Sequence, residues 1–175
     1  MSRVVLITGA FGVLGRAVAE AAAARGAKLA LADMAGDAPD GLPEALVFSG
    51  VDLSDAVRTE KIAAETAGKL GGIDALINVA GTFRWETVAD GATETWDFLH
   101  RVNVSTAVNM SRAALPYLLK SKAGRIVNIG ANGAVKAAAG VGAYAASKSG
   151  VHRLTEAMAE ETKGQGVTVN AVLPS

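Results

Sequence analysis

The chain alternates short apolar runs with longer stretches in which apolar residues return every three or four positions. Residues 4–8, 28–32, 45–49, 75–79, 125–129 and 167–172 are runs of the first kind. They predict strands buried on both faces. Residues 16–25, 55–70, 93–120 and 142–163 carry the helical period. Gly26 suits the end of the first helix, Asp52 and Ser54 are candidate caps for the second, and Gly71-Gly72 ends it. Residues 34–42, with Gly36, Pro39 and Gly41, read as a loop. Strands separated by helices predict an α/β fold with a parallel sheet, covered by helices on both faces. Right-handed crossovers make that sheet doubly wound. No break in composition marks a linker, so residues 1–175 are expected to form one domain.

Composition narrows the classes. Half of the 175 residues are hydrophobic, enough for a sizeable core. Seventeen basic and seventeen acidic residues cancel, so nothing electrostatic points to nucleic acid or an anionic membrane. There is no cysteine, and His100 and His152 lack ligand-like spacing, so no metal site is expected. Arg3 followed by an apolar run imitates a signal peptide, but three glycines interrupt it. No apolar run approaches membrane-spanning length. A cytoplasmic protein acting on a small molecule is the expectation.

The chemistry begins where the first strand ends. In an open parallel sheet, ligands bind beyond the carboxyl ends of the strands. Thr8-Gly9-Ala10-Phe11-Gly12-Val13-Leu14-Gly15 lies there and opens a helix. Glycines allow a tight turn and close backbone approach to phosphate, and the helix N-terminus offers free N–H groups. Asp33, at the end of the second strand, can accept hydrogen bonds from the adenosine ribose and would repel a 2′-phosphate. Met34 beside it supplies no cation. NAD(H) is therefore the expected cofactor, with NADP(H) the less favoured alternative.

Five segments in order resemble the short-chain dehydrogenase/reductase family. They are the glycine loop, Asp52-Leu53, Asn78-Val79-Ala80-Gly81, Asn103, and Tyr144-Ala-Ala-Ser-Lys148. The resemblance covers essentially the whole chain and implies a Rossmann fold. It implies Asp52 and Leu53 at the adenine, and Val79, Ala80 and Gly81 along the cofactor channel. Gly9, Phe11, Gly12, Val13, Leu14, Gly15 and Asp33 complete the implied cofactor site. Tyr144 becomes the general acid or base. Lys148 holds the nicotinamide ribose, and Asn103 anchors a water of a proton relay. Tyr144 and Lys148, four apart, share a helical face. A nearby ammonium and an oxidised nicotinamide are expected to lower the phenol pKa toward working pH. The family's habit of pairing its long helices across subunits implies a homodimer or homotetramer.

Three departures qualify the resemblance. The glycines stand at 9, 12 and 15, a spacing shared with sugar-nucleotide epimerases, whereas the commonest short-chain pattern puts a glycine at the place of Val13. Ala131 stands where the family usually carries a serine that binds the substrate oxygen, with Asn132 as a possible substitute. The segment from Gly130 to Tyr144 resembles dihydropteridine reductases, members that work without that serine. The resemblance also places a nicotinamide-facing loop, a covering helix and a last strand beyond Ser175, so the chain reads as truncated. Arg84 and Trp85 are expected at the rim, either facing an anionic or aromatic substrate or serving in packing; Lys136 invites the same reading. An oxidoreductase is the expectation, with a non-catalytic NAD-binding sensor or scaffold as the rival, and pteridine reduction and sugar-nucleotide epimerisation as lesser alternatives.

Overall fold

The computed structural model describes residues 2–174. Six parallel strands form one sheet in the order β3-β2-β1-β4-β5-β6. They are β1 (Val4–Thr8), β2 (Lys28–Ala32), β3 (Ala45–Phe48), β4 (Ala75–Asn78), β5 (Gly124–Ile129) and β6 (Val167–Val172). The order reverses between β1 and β4, which opens a crevice at their carboxyl ends. This is the doubly wound α/β fold that the alternation of runs predicts.

Five helices cover the sheet: α1 (Val13–Ala23), α2 (Ala56–Leu70), α3 (Thr93–His100), α4 (Thr106–Leu118) and α5 (Gly142–Glu161). Helix α1 closes one face over Val5, Ile7, Leu29 and Leu31. Helices α2, α4 and α5 close the other, where Ile62, Met110, Ala114 and Met158 meet Leu6, Leu76 and Ile126. Successive strand residues thus serve opposite faces, as the pleat requires. Among the described residues no helix is long and apolar enough to cross a membrane.

Three local expectations need correction. Helix α1 begins at Val13 rather than Arg16, because Gly12 already takes the N-cap position. Asp55, not Asp52 or Ser54, caps α2; its carboxylate accepts from the N–H groups of Val57 and Arg58. Asp52 instead closes a local turn on Ser54, accepting from both its N–H and its hydroxyl. The span 93–120 is not one regular helix, since a π-helical turn at Arg101–Ser105 separates α3 from α4. Gly26 does end α1 in the left-handed conformation, with its N–H on Ala23 and that of Ala27 on Ala22.

A row of polar residues crosses the sheet just below the crevice. Thr8 and Asn78 are register partners, as are Asn78 and Asn128. The Thr8 hydroxyl accepts from the N–H groups of Val79 and Ala80, both at 3.2 Å, tying the end of β1 to the turn after β4. Asn78 donates to Ser111 and Asn128, and Asn128 donates to Thr155. These buried side chains fasten β4 and β5 to α4 and α5. Burial of their N–H groups is compensated in this way, whereas the Asn78 side-chain oxygen has no partner among the described residues.

Candidate active site

The glycine loop is built by close approach. Gly9 has φ +60, and a Cβ there would lie 2.7 Å from the Ala80 nitrogen. A Cβ on Gly15 would lie 2.7 Å from the Ala10 Cα and closer still to the Gly9 carbonyl oxygen. Both positions therefore exclude any side chain. Gly12 differs, because its nearest neighbour would be 3.6 Å away. Its lack of a side chain leaves the first-turn N–H groups of α1 uncapped and open.

A cavity of about 720 Å³ runs from this loop along the carboxyl ends of the strands. Gly9, Gly12, Val13, Leu14 and Gly15 form one end with Asp33, Asp52 and Leu53. Val79, Ala80 and Gly81 form its middle, and Tyr144 and Lys148 its far end. Thirteen of the residues expected from the sequence thus face one space. Phe11 is not among its lining residues; the Asp33 carboxylate accepts from its N–H at 2.9 Å, and its ring packs in the α1-side core. The other Asp33 oxygen accepts from Ala35. Asp33 is thereby held rigidly at the end of β2. The Asp52 carboxyl sits below its ordinary range, chiefly through its bonds from Ser54, with Arg101 and Arg58 adding to the effect.

Asn103 lies in the π-helical turn, almost wholly buried. Its oxygen accepts from the Thr82 N–H at 2.7 Å, and its amide nitrogen donates to the Thr82 carbonyl and to the Ser147 hydroxyl. Ser147 in turn donates to the Tyr144 carbonyl. Both amide hydrogens are used, so the side chain is committed to the protein rather than available to donate to a water. What Asn103 does here is join the turn after β4 to the helix that carries Tyr144 and Lys148. A π turn breaks the i→i−4 ladder locally and is frequent at functional sites.

Lys148 is buried, about 5% exposed, and donates to the Ile129 carbonyl at 2.7 Å. Burial lowers its pKa to about 8. Gly81 gives it room, since a Cβ there would lie 3.2 Å from Nζ and 2.9 Å from the Asn103 oxygen. Tyr144 departs from expectation. Burial pushes its phenol up rather than down. The downward pull expected from the ammonium does not prevail, and Phe83 stands edge-on against the ring, 4.9 Å between centroids at 80°.

Several lining residues escaped the sequence reading. Ile129 and Gly130 follow from the rule that ligands meet strand carboxyl ends, applied to β5. Phe83, Phe98, Arg101, Val102 and Thr106 also line the cavity. The last four stand at helical spacing on one face, but the helical period alone does not say which face meets the cavity. Ala131 is buried, whereas Asn132 is exposed and does not line the cavity. Arg84 lies over the Phe98 ring at 4.3 Å, and Trp85 packs where a Gly140 side chain would stand. Both are engaged in packing, and Lys136 is exposed outside the cavity.

The model of the short chain dehydrogenase family matches residues 3–175. This chain is a short-chain dehydrogenase. It is 39% identical to the meso-2,3-butanediol dehydrogenase of Serratia marcescens, over 99% of the chain and 71% of that protein. It is 32% identical to a 3-oxoacyl-(acyl-carrier-protein) reductase of Vibrio cholerae, over 98% of the chain and 72% of that protein. The structure of a short-chain dehydrogenase from Streptomyces avermitilis superposes with a TM-score of 0.93 at 30% identity, covering 100% of this chain. The chain spans 66% of that structure's length. Short-chain dehydrogenases are oxidoreductases that use NAD(P)(H), and this chain belongs among them.

Proposed function

We propose that this short-chain dehydrogenase moves a hydride between NAD(H) and a carbonyl/alcohol pair or a conjugated ring, with Tyr144 as the proton donor or acceptor. One observation carries the reading: a single cavity joins the glycine loop and Asp33 at one end to Tyr144 and Lys148 at the other. The residues present suit a dinucleotide. The side-chain-free cradle at Gly9, Gly12 and Gly15 and the uncapped first turn of α1 suit a pyrophosphate. Asp33 suits an unsubstituted adenosine ribose and disfavours a 2′-phosphate, while Met34 offers nothing to offset that charge.

A bound nicotinamide supplies or accepts the hydride. The chain's own part is to bind, orient and move a proton. Tyr144 stands at the far end of the cavity, where its phenol can give a proton to a substrate oxygen or take one back. Lys148, a cation below about pH 8, favours the phenolate when the proton leaves. Asn103 positions both through Thr82 and Ser147. The names of the two relatives, one a butanediol dehydrogenase and one an oxoacyl reductase, favour an alcohol or oxo substrate over the epimerase alternative.

The test is NADH and NADPH oxidation against a panel of small ketones and a quinonoid pterin. Turnover with NADH that exceeds turnover with NADPH, and that is lost in Tyr144→Phe, is the expected result. Unchanged activity in Tyr144→Phe overturns the role of the tyrosine. Ala131 favours a second reading, a non-catalytic NAD-binding sensor, because alanine lacks the oxygen-binding hydroxyl. NADH binding by calorimetry, with no turnover across the panel, selects that reading.

A further inference from the structure

Tyr144, Lys148 and His152 follow one another at four-residue spacing along α5 and share a helical face. Two of them grip the end of β5 on either side of Gly130. Lys148 donates to the carbonyl of Ile129 at 2.7 Å. One turn further, the His152 Nε2 accepts from the N–H of Ala131 at 3.3 Å. The imidazole fills the place of a Gly130 side chain: a Cβ there would lie 2.7 Å from the ring Cδ2 and closer still to Nε2. His152 in this place therefore requires a glycine at 130. Ile129 and Gly130 line the cavity, and the buried Ala131 follows directly after them.

We propose that His152 is a positioning residue: its neutral imidazole holds the Ala131 N–H and so sets the wall of the cavity opposite the nicotinamide end of the cofactor. The Ala131 N–H is buried and needs an acceptor. A neutral imidazole provides one, and an imidazolium, with both nitrogens protonated, cannot. The grip therefore depends on protonation. Burial holds the His152 pKa below its ordinary value. Lys148 and Arg153 on the same helix add to this, and Glu156 opposes it while pairing with Arg153 at 2.7 Å. The strand ends packed against the ring bring Gly130, Ala131 and Leu173, none of which titrates. The grip is thus intact at neutral pH and is released in acid.

The inference rests on the reading of the cavity as a catalytic site, but its first test does not need turnover. The Cε1–H resonance of His152 and the backbone amide of Ala131 are followed by NMR from pH 5 to 8, with His152→Gln assigning the ring signal. The Ala131 amide is expected to titrate with the midpoint of His152, below the ordinary histidine value. An Ala131 amide that ignores the His152 titration overturns the proposal.

The second test is kinetic. In the parent protein kcat should fall on the acid side with the His152 midpoint, while KM for NADH holds. His152→Gln keeps an acceptor at every pH and is expected to flatten that limb with kcat within about threefold of the parent. His152→Leu is expected to lose about tenfold or more in kcat at neutral pH and to show no acid limb. Persistence of the acid limb in His152→Gln overturns the proposal. Absence of turnover in the parent protein overturns the proposed function instead, and the amide titration still decides the role of His152.

Discussion

The Phe83 ring meets the Tyr144 ring edge to face, 4.9 Å between centroids. The turn that carries Phe83 is anchored at both ends. Asn103 holds Thr82 on one side, and the Glu86 N–H donates to the Gly140 carbonyl on the other. Burial is what raises the Tyr144 pKa, and Phe83 lies against that ring. Removing Phe83 should therefore admit water and lower the phenol pKa toward its ordinary value. In Phe83→Ala, tyrosinate absorbance should develop at lower pH than in the parent chain. The difference spectrum against Tyr144→Phe separates Tyr144 from Tyr117. The lost aromatic pair costs about 1 kcal/mol of stability. An unmoved Tyr144 midpoint would show that Phe83 does not shield the phenol.

Lys148 makes the cofactor-free chain's stability pH-dependent in a definite direction. Its pKa is about 8 when folded and 10.5 when unfolded, so between these values the unfolded chain binds more protons. Stability then rises with pH, by at most about 3 kcal/mol across the window. Below pH 8 the full cost of burying the charge is present. Urea denaturation from pH 7.5 to 9.5 should show the rise, and Lys148→Met should abolish it. The window stops short of pH 10, above which the raised Tyr144 pKa works in the opposite direction.

The three loop glycines should separate into two kinds. Gly15→Ala drives a Cβ into the Gly9 backbone and should destabilise the chain by several kcal/mol, beyond the ordinary range of point substitutions. Gly12→Ala meets its nearest atom at 3.6 Å and should cost about 1 kcal/mol, the difference between the two residues at an N-cap. It nonetheless puts a methyl group where a pyrophosphate is proposed to approach. NADH affinity in Gly12→Ala should fall about tenfold or more, read by fluorescence titration. Unchanged affinity with an intact fold would move the cofactor away from this loop.

Asp33 should govern the choice between the two dinucleotides. Asp33→Asn keeps one oxygen for the Phe11 N–H, removes the charge, and gives up only the exposed bond from Ala35, whose N–H can turn to water. The NADH-over-NADPH preference in Kd should narrow by about tenfold, with little change in folding midpoint. Asp33→Ala also strips the Phe11 N–H of its acceptor and should cost a further 1–2 kcal/mol or so.

Local features of this fold are legible in the sequence and tertiary ones are not. The strands 4–8, 28–32 and 167–172 are visible to the residue because each is rich in β-branched or aliphatic residues and begins just after a basic residue, a Gly-Ala pair or a glycine. The glycine loop and Asp33 are visible because their roles follow from strand ends alone. Asp55 does not stand out as the cap because Asp52 and Ser54 offer the same chemistry a few positions earlier, and only the path of the chain decides among them. Phe98, Arg101, Val102 and Thr106 stand at ordinary helical spacing, but the period alone does not say which face of the helix meets the cavity; packing decides that. The direction of the Tyr144 shift depends on burial in the folded chain, where Phe83, sixty-one positions away in sequence, lies against the ring.

The π turn at Arg101–Ser105 has a consequence for how this protein can vary. A π turn amounts to one residue inserted into a regular helix, which rotates everything on its far side by about 100°. Helix α4 must keep its phase, because Met110, Ala114 and Leu118 belong to the core. Helix α3 is released from that phase and directs Phe98 at the cavity instead. The turn therefore works as a gear between two helical segments. Mutations along α3 can reshape the cavity wall while the core keeps its fit, whereas deleting one residue from the turn would mesh the two and swing Phe98 out of the site.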